Sequence, residues 1–258
     1  MKISILGAGA FGTALGGILA GNGYDIDYYD STLEKENLAE NLASATYIIL
    51  CVPSKVAPYL LPHLDKGKPL IVATKGILTD NYFTEFADWM VLSGPGFASD
   101  IKEKKHTILT VTDERIKKLF AAPYMEFDET RDKRGVLMCG ALKNVYALLA
   151  GYKHLKPGSP ENSLYLKMAA EEMKKLLEIN GAKPETVKLA CGMGDLKLTC
   201  APQSRNYTFG YKLSSNADYL PECTVEGLSA IKRIRRGEIK VPDNLPILED
   251  ILEITKGK

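Results

Sequence analysis

Short apolar runs alternate with polar or helical stretches through the first half of the chain. The run at residues 46–52 is continuous, which is typical of a strand covered on both faces. Helices are predicted over residues 13–20, over residues 33–43, and after Ser54, where Pro58 would interrupt the helix. This alternation predicts a parallel, doubly wound α/β sheet. Its strands are predicted at residues 2–6, 24–29, 46–52, 69–74, 89–92, 107–111 and 124–127.

The pattern changes after about Arg131, where strand signals almost vanish and long helical periodicities begin. One of these helices is closed by Asn180-Gly181, a pair typical of a left-handed C-cap. The sequence therefore predicts a Rossmann-type dinucleotide-binding domain at residues 1–131 and an all-helical domain at residues 132–258. The helices of the second domain are predicted at residues 134–151, 163–179, 186–191, 225–236 and 245–255.

Composition narrows the possible functions. Lysine and arginine total 33 against 32 acidic residues, and a net charge of +1 is unlike that of a nucleic-acid-binding protein. The five cysteines form no C-x-x-C pair, so neither a disulfide scaffold nor a zinc site is expected, and no other metal site is predicted. Buried thiols in a reducing, cytoplasmic compartment are the simplest interpretation.

The apolar stretch at residues 3–20 superficially resembles a signal peptide. Five glycines interrupt it, and no later stretch reaches ~18 unbroken apolar residues, so no transmembrane helix is expected.

The most informative segment of the first half is GAGAFG at residues 7–12, between a predicted strand and a predicted helix. Gly7 permits a tight turn, Gly9 allows the backbone to approach a pyrophosphate, and Gly12 allows close helix–strand packing. The helix N-terminus attracts phosphate charge. Asp30 follows the second strand, where a carboxylate can accept hydrogen bonds from an adenosine ribose. The alternative is a glycine-rich turn that only packs, with Asp30 as a turn former.

Three further segments follow later strands, where open α/β sheets bind their ligands. They are residues 52–54, which include Pro53, residues 74–76 and residues 94–98. Lys75 in the second segment is placed to face an anion, or is an ordinary surface lysine. The turn at residues 94–98 has free backbone N–H groups that could hold an anion.

In the second half, the helix at residues 134–151 places Lys143 on a stripe of glycine and alanine. Such a stripe leaves room above the lysine for a ligand, or it marks close packing of two helices beside a lysine that reaches solvent. A lysine in a partly dry cleft has a lowered pKa and can carry a proton. Asp195 follows in a glycine-rich segment, and Ser204-Arg205-Asn206 is predicted to form a polar loop suited to phosphate.

Together these segments resemble the NAD(P)-dependent glycerol-3-phosphate dehydrogenases of the bacterial type. The matches occur in family order and cover most of the chain. They are GAGAFGTALG (7–16), VPS (52–54), ATKG (73–76), SGPGFA (93–98), GALKNVYALLAG (140–151), GMGDLKLTC (192–200), SRNYTFG (204–210) and VEG (225–227). The resemblance implies an oxidoreductase that interconverts dihydroxyacetone phosphate and sn-glycerol 3-phosphate with a nicotinamide cofactor and feeds glycerophospholipid synthesis.

The resemblance also implies residue roles. Lys143 matches the family's general acid/base at the substrate C2 oxygen, Asp195 would orient it, and Lys75 would add positive potential. The substrate-binding positions implied are Lys75, Gly94, Gly96, Lys143, Asn144, Asp195, Ser204, Arg205 and Asn206. The cofactor-binding positions implied are Gly7, Gly9, Ala10, Phe11, Gly12, Asp30, Pro53, Lys75, Ala98, Arg205 and Glu226.

Two departures from the family pattern affect these roles. Gly96 stands where the family usually has serine or threonine, so a hydroxyl contact is lost. The link from Asp30 to Thr46 is short, which would leave the adenine side of the cofactor more open. NAD is expected to be preferred over NADP, because Asp30 would repel a 2′-phosphate and the first following cation is Lys35.

Two alternatives stay open. A ketopantoate-reductase-like enzyme shares the lysine and the two-domain plan but lacks the SRN loop, and a non-catalytic cofactor sensor could use the same fold. The basic run at residues 232–236 is interpreted as a solvated helix end, which favours the helix dipole. A homodimer is possible.

Overall fold

The computed structural model describes residues 1–30 and 42–258. Its chain divides into two compact units. The sheet unit comprises Met1–Lys75 and Asp80–Lys133, and the helical unit comprises Gly76–Thr79 and Arg134–Lys258. The domain boundary predicted between residues 131 and 132 lies two residues before this division. Most of the helix predicted at residues 33–43, and Lys35 with it, lies outside the described residues.

The described part of the sheet unit holds one seven-stranded sheet, in the order β2-β1-β3-β4-β5-β6-β7. Each predicted strand is found, with bounds shifted by two residues at most. The inner strands β3 and β4 are almost wholly buried, as the apolar runs predict. The strands are β1 (Lys2–Leu6), β2 (Asp25–Tyr29), β3 (Tyr47–Leu50), β4 (Leu70–Val72), β5 (Trp89–Ser93), β6 (Thr107–Val111) and β7 (Met125–Glu129).

The expectation of a fully parallel sheet is wrong at one pair of strands. β5 and β6 pair antiparallel, with Leu92 opposite Val111, whereas the pairs on either side are parallel. The connection between them contains only the helix Ala98–Lys102, whose five residues span about 7.5 Å. The apolar run of a buried strand is the same in either direction, so the sequence pattern does not distinguish the two pairings.

The helices of the sheet unit cover this sheet, and α1 contributes Leu15 and Leu19 to a core with Ile49, Ile71 and Met90. Pro58 does not interrupt the second helix: it lies in the first turn, where its missing N–H leaves no hydrogen bond broken. The helices in the described part of this unit are α1 (Ala10–Gly21), α2 (Ala57–Leu60), α3 (Ala98–Lys102) and α4 (Glu114–Leu119).

The helical unit is built around α5, in which every residue from Gly135 to Gly151 is buried. The stripe of glycine and alanine that carries Lys143 is therefore covered as fully as the rest of the helix. By length and composition α5 could cross a membrane, but 94% of its most apolar window is buried inside the protein, as in the core helix of a globular domain. The helices are α5 (Lys133–Tyr152), α6 (Pro160–Ile179), α7 (Asp195–Thr199), α8 (Arg205–Ser215), α9 (Glu226–Arg235) and α10 (Pro246–Ile254).

Several details of this unit differ from the sequence predictions. The helix predicted at residues 186–191 is a 3₁₀ turn, Pro184–Lys188, followed by a π turn, Ala190–Gly194. α7 was not predicted. The expected left-handed cap after α6 is confirmed at Gly181, which has a φ of 74°.

The basic run at residues 232–236 is only partly solvated. The Arg233 side chain is buried and donates to the Gly76 carbonyl at 3.4 Å. The Arg235 guanidinium donates to the Leu252 and Thr255 carbonyl oxygens at the end of α10. These two arginines therefore anchor neighbouring segments of the helical unit.

Glu172 on α6 is a buried carboxylate that ties α10 to the core. It accepts hydrogen bonds from the backbone N–H groups of Ile247 and Leu248, at 2.7 and 3.0 Å, and from the Tyr146 hydroxyl at 3.0 Å. Burial raises the pKa of Glu172, and these three donors partly oppose the increase. The carboxylate thus caps the N-terminus of α10 at a desolvation cost.

This arrangement predicts a specific pH dependence. The pKa of Glu172 is higher in the folded than in the unfolded chain, so its contribution to stability is fully present below the unfolded pKa and declines as pH rises through the folded pKa. We expect the free energy of unfolding of wild type, relative to Glu172→Gln, to fall as the pH rises above about 4.5, the ordinary pKa of a glutamate side chain. Urea unfolding at a series of pH values measures this free energy for both proteins. Glu171→Gln, at an exposed neighbour, is the control, and an equal slope for both variants would contradict the prediction.

Candidate active site

The glycine loop after β1 forms a tight turn against β2 and β3. Gly7 has a φ of 108°, and a Cβ there would lie 2.8 Å from the Cys51 backbone. A Cβ at Gly12 would lie 2.1 Å from the Gly7 carbonyl oxygen, so the third glycine lets α1 start directly on the turn. Nothing lies within 4 Å of a Cβ at Gly9, and no side chain caps the N-terminus of α1.

This geometry fits a dinucleotide. The N–H groups of the first turn of α1, which include those of Ala10 and Phe11, have no intrahelical acceptor, and a helix N-terminus attracts phosphate. The Gly7 N–H donates to the Tyr29 carbonyl at 2.7 Å, which brings the end of β2 beside the loop. Asp30, the next residue, is exposed there. The loop follows β1, the strand at which the strand order changes direction, because β2 lies on one side of β1 and β3 on the other. Ligands of such sheets usually bind at this position.

Lys75 follows β4 at the same end of the sheet as the glycine loop. Its ammonium lies 4.9 Å from the centre of the Phe11 ring, within cation–π distance. The ammonium also lies near Cys51. Burial raises the pKa of the Cys51 thiol to about 12, and the charge of Lys75 partly opposes this increase. The structure thus places a cation beside the uncapped N-terminus of α1.

The remaining predicted positions of the sheet unit differ in accessibility. Pro53 is exposed after β3, and Ala98 is half-buried at the start of α3. Gly94 and Gly96 are buried in a narrow turn, in which the Gly96 N–H donates to the Gly94 carbonyl at 2.9 Å. A Cβ at Gly96 would lie 3.3 Å from side-chain atoms of β6, so the missing side chain allows close packing there.

The centre of the helical unit is an ion pair between Lys143 on α5 and Asp195 on α7. The Lys143 ammonium contacts Asp195 Oδ2, and the two residues are 2% and 1% exposed. Thr199, one turn further along α7, donates its hydroxyl to Asp195 Oδ1 at 3.4 Å. The neighbouring carboxylate favours the charged form of the Lys143 amine, whereas burial favours the neutral form.

The π turn before α7 brings Asp195 to this position. A Cβ at Gly192 would lie 2.2 Å from the Val187 carbonyl oxygen, so the turn folds back onto the preceding 3₁₀ turn only with glycine there. π turns of this kind are frequent at functional sites.

The segment Ser204-Arg205-Asn206 is not the polar loop that the sequence predicts but the start of α8. The Ser204 hydroxyl caps this helix by accepting from the Asn206 N–H at 3.2 Å. Arg205 is exposed, and within the described residues its guanidinium forms no ion pair. Arg205 is therefore open to an anion, whereas Ser204 is buried.

The side-chain amides of Asn144 and Asn206 form a buried relay. Asn206 Nδ2 donates to Asn144 Oδ1 at 2.8 Å, and Asn206 Oδ1 accepts from the Gly227 N–H at 2.9 Å. The Asn144 amide also donates to the Gly140 carbonyl at 3.0 Å. Glu226, next to Gly227, is half-buried in the first turn of α9. Sequence reasoning missed Gly227 and Thr199. Gly227 lies in the segment VEG, and Thr199 lies in the segment GMGDLKLTC.

Comparison with known proteins identifies the family. A family model described as the C-terminus of NAD-dependent glycerol-3-phosphate dehydrogenase matches residues 132–258. A glycerol-3-phosphate dehydrogenase (NAD(P)+) from Geobacter metallireducens is 30% identical over 308 residues, covering 98% of this chain and 92% of that protein. This chain belongs to the glycerol-3-phosphate dehydrogenase family.

The structural comparison agrees. The crystal structure of a glycerol-3-phosphate dehydrogenase from Coxiella burnetii has a TM-score of 0.83 at 25% identity, covering 99% of this chain and 94% of that one. A relative from Campylobacter jejuni with the same name as the Geobacter protein is 30% identical and covers all of this chain. The predicted family and the fold of a Rossmann-type sheet followed by helices are thus confirmed, and the ketopantoate-reductase alternative is rejected.

The geometry of the glycine loop predicts different effects for two matched variants on α1. Gly12→Ala must push the turn open, and we expect the Kd of NADH to rise at least about tenfold, equivalent to ~1.4 kcal/mol. Gly17→Ala is the control, because Gly17 is exposed and has nothing within 4 Å of its Cβ. It should keep NADH affinity. Fluorescence titration measures both, and equal affinities would rule out this role for Gly12.

Proposed function

We propose that this chain interconverts dihydroxyacetone phosphate and sn-glycerol 3-phosphate with a nicotinamide cofactor. The observation that supports this most directly is the buried Lys143–Asp195 pair, in a chain of the glycerol-3-phosphate dehydrogenase family. Reducing the ketone requires a hydride at C2 and a proton on its oxygen. The cofactor, when bound, supplies or accepts the hydride, and the protein must handle the proton.

The sheet unit is proposed to hold the cofactor. The N–H groups at the start of α1 donate to the diphosphate, and Gly9 leaves the space that such an approach needs. Asp30 accepts hydrogen bonds from the adenosine ribose hydroxyls. Lys75 contributes positive charge beside the loop, where an anionic ligand would bind. The positions Pro53, Ala98, Glu226 and Arg205 stay predictions of cofactor contact.

In the helical unit, Lys143 is proposed to be the general acid. As an ammonium group it donates a proton to the C2 oxygen while the hydride arrives at C2, and in the reverse direction the neutral amine accepts that proton. Asp195 stabilises the ammonium form and restricts the side chain to one direction. Burial strengthens the electrostatic effect of the ammonium on the developing alkoxide, because little water screens it.

Arg205 is proposed to bind the substrate phosphate. Its guanidinium is exposed and forms no ion pair within the described residues, and its planar fork matches phosphate oxygens. Binding the remote phosphate positions C2 for reaction, so this contact contributes to the rate as well as to affinity. Three further points stay predictions: that the product feeds glycerophospholipid synthesis, that the protein is cytoplasmic, and that it forms a homodimer.

The direct test is oxidation of NADH by dihydroxyacetone phosphate, measured for wild type and for Lys143→Arg. Arginine keeps the positive charge beside Asp195 but does not release its proton, so kcat should fall by roughly 10²–10⁴-fold while the fold is kept. Lys197→Arg, at an exposed lysine two residues beyond Asp195, is the control and should retain wild-type kcat.

Lys143→Met should lose activity and also stability, by about 3–5 kcal/mol, because it leaves the Asp195 carboxylate buried without its partner. Wild type without saturable NADH oxidation would favour the non-catalytic sensor. A kcat of Lys143→Arg within threefold of the wild-type value would contradict the proposed role of Lys143 as general acid.

Cofactor preference provides a second test. We propose that NADH is preferred, since Asp30 would face a 2′-phosphate with like charge. At ~4 Å and an effective dielectric constant of about 20, this repulsion is roughly 4 kcal/mol before relaxation. One third of it gives about tenfold discrimination in kcat/KM.

Asp30→Asn should raise kcat/KM for NADPH relative to NADH, because it removes the carboxylate charge from the ribose position. Asp25→Asn, which removes a charge at the other end of β2, should leave the ratio unchanged. A wild-type kcat/KM for NADPH equal to or above that for NADH contradicts the role of Asp30.

A further inference from the structure

The buried amide relay connects three helices through two side chains and one backbone N–H. Asn144 belongs to α5, Asn206 to α8 and Gly227 to α9, and the two hydrogen bonds that join them measure 2.8 and 2.9 Å. Asn144 and Asn206 are 4% and 7% exposed. Breaking one bond would leave a buried amide without that partner, so the three backbones are held at a fixed separation.

Gly227 is the member of the relay that no other residue type can replace. A Cβ there would lie 2.5 Å from the Asn144 carbonyl oxygen and 3.1 Å from Asn206 Oδ1. The first of these atoms is backbone of the buried helix α5 and cannot move aside cheaply. A side chain at Gly227 must therefore push α9 away from α5 or displace the Asn206 amide.

The neighbours of the relay in the sequence give this packing a functional meaning, which rests on the function proposed above. Asn144 directly follows Lys143, the proposed proton donor, and Asn206 directly follows Arg205, the proposed phosphate ligand. The relay therefore joins the backbone segment that acts at C2 to the segment that binds the other end of the substrate.

We propose that Gly227 is a positioning residue: by closing the relay, its N–H fixes the spacing between Lys143 and Arg205. With that spacing fixed, binding the phosphate at Arg205 places the C2 oxygen within reach of Lys143. A misplacement of about 1 Å lowers the rate by up to roughly 10²-fold. Dihydroxyacetone, which has no phosphate, gains nothing from the spacing.

The experiment compares kcat/KM for dihydroxyacetone phosphate and for dihydroxyacetone in wild type, Gly227→Ala and Ser229→Ala. For Gly227→Ala we expect kcat/KM on the phosphorylated substrate to fall by roughly 10–10²-fold, while the slow reaction of dihydroxyacetone changes less than about threefold. The pH profile of kcat should keep its shape, since Lys143 and Asp195 are unchanged. Ser229→Ala, on the same helix two residues further on, should match wild type with both substrates.

Asn144→Ala tests the same spacing if Gly227→Ala does not fold. It removes the acceptor of the Asn206 amide without adding volume, so the rate with the phosphorylated substrate should again fall more than the rate with dihydroxyacetone. An equal loss on both substrates overturns the proposal, because a general loss of structure or a direct ligand at the reacting end affects both. A wild type inactive with dihydroxyacetone phosphate would instead contradict the proposed function.

Discussion

The chemistry proposed for the helical unit depends on the ion pair between Lys143 and Asp195. Removing two charges from water costs several kcal/mol per ion, and their attraction repays this cost only with good geometry and further hydrogen bonds. A buried pair is therefore weak evidence for stability, and an apolar pair of similar size would serve a core as well. Its presence at 2% and 1% exposure fits the proposed chemistry, which needs a charged, directed amine.

The surroundings of the pair are arranged to hold it. α5 is buried on all sides, and it meets α8 closely enough that a Cβ at Gly151 would lie 1.9 Å from the Tyr207 carbonyl. A Cβ at Gly210 would lie equally near the Leu148 carbonyl. The sequence allowed two interpretations of the stripe of glycine and alanine, namely room for a ligand or close packing of two helices. At Gly151 the structure shows close packing. The rigid contact keeps Lys143 and the start of α8 in register.

The sequence predicted most of the sheet and helices because buried strands and long helices leave strong periodic signals. It could not predict that β5 and β6 pair antiparallel, since the apolar run of a buried strand is the same in either direction. It missed the start of α8 because Ser204, Arg205 and Asn206 are polar, although serine before a helix is a frequent N-cap. The Asn206–Gly227 contact is invisible to local patterns because it joins segments far apart in the chain.

Two cysteines show why the proposed chemistry is assigned to lysines. Cys51 lies near Lys75 and Cys200 lies near Lys143, and an adjacent ammonium group usually favours a reactive thiolate. Here burial outweighs that effect: it raises the pKa of Cys51 to about 12 and that of Cys200 further still. Both thiols therefore stay protonated near neutral pH and act as small apolar residues. Burial also disfavours the charged form of Lys143, but there the Asp195 carboxylate opposes that effect, which fits the role proposed for the ammonium group.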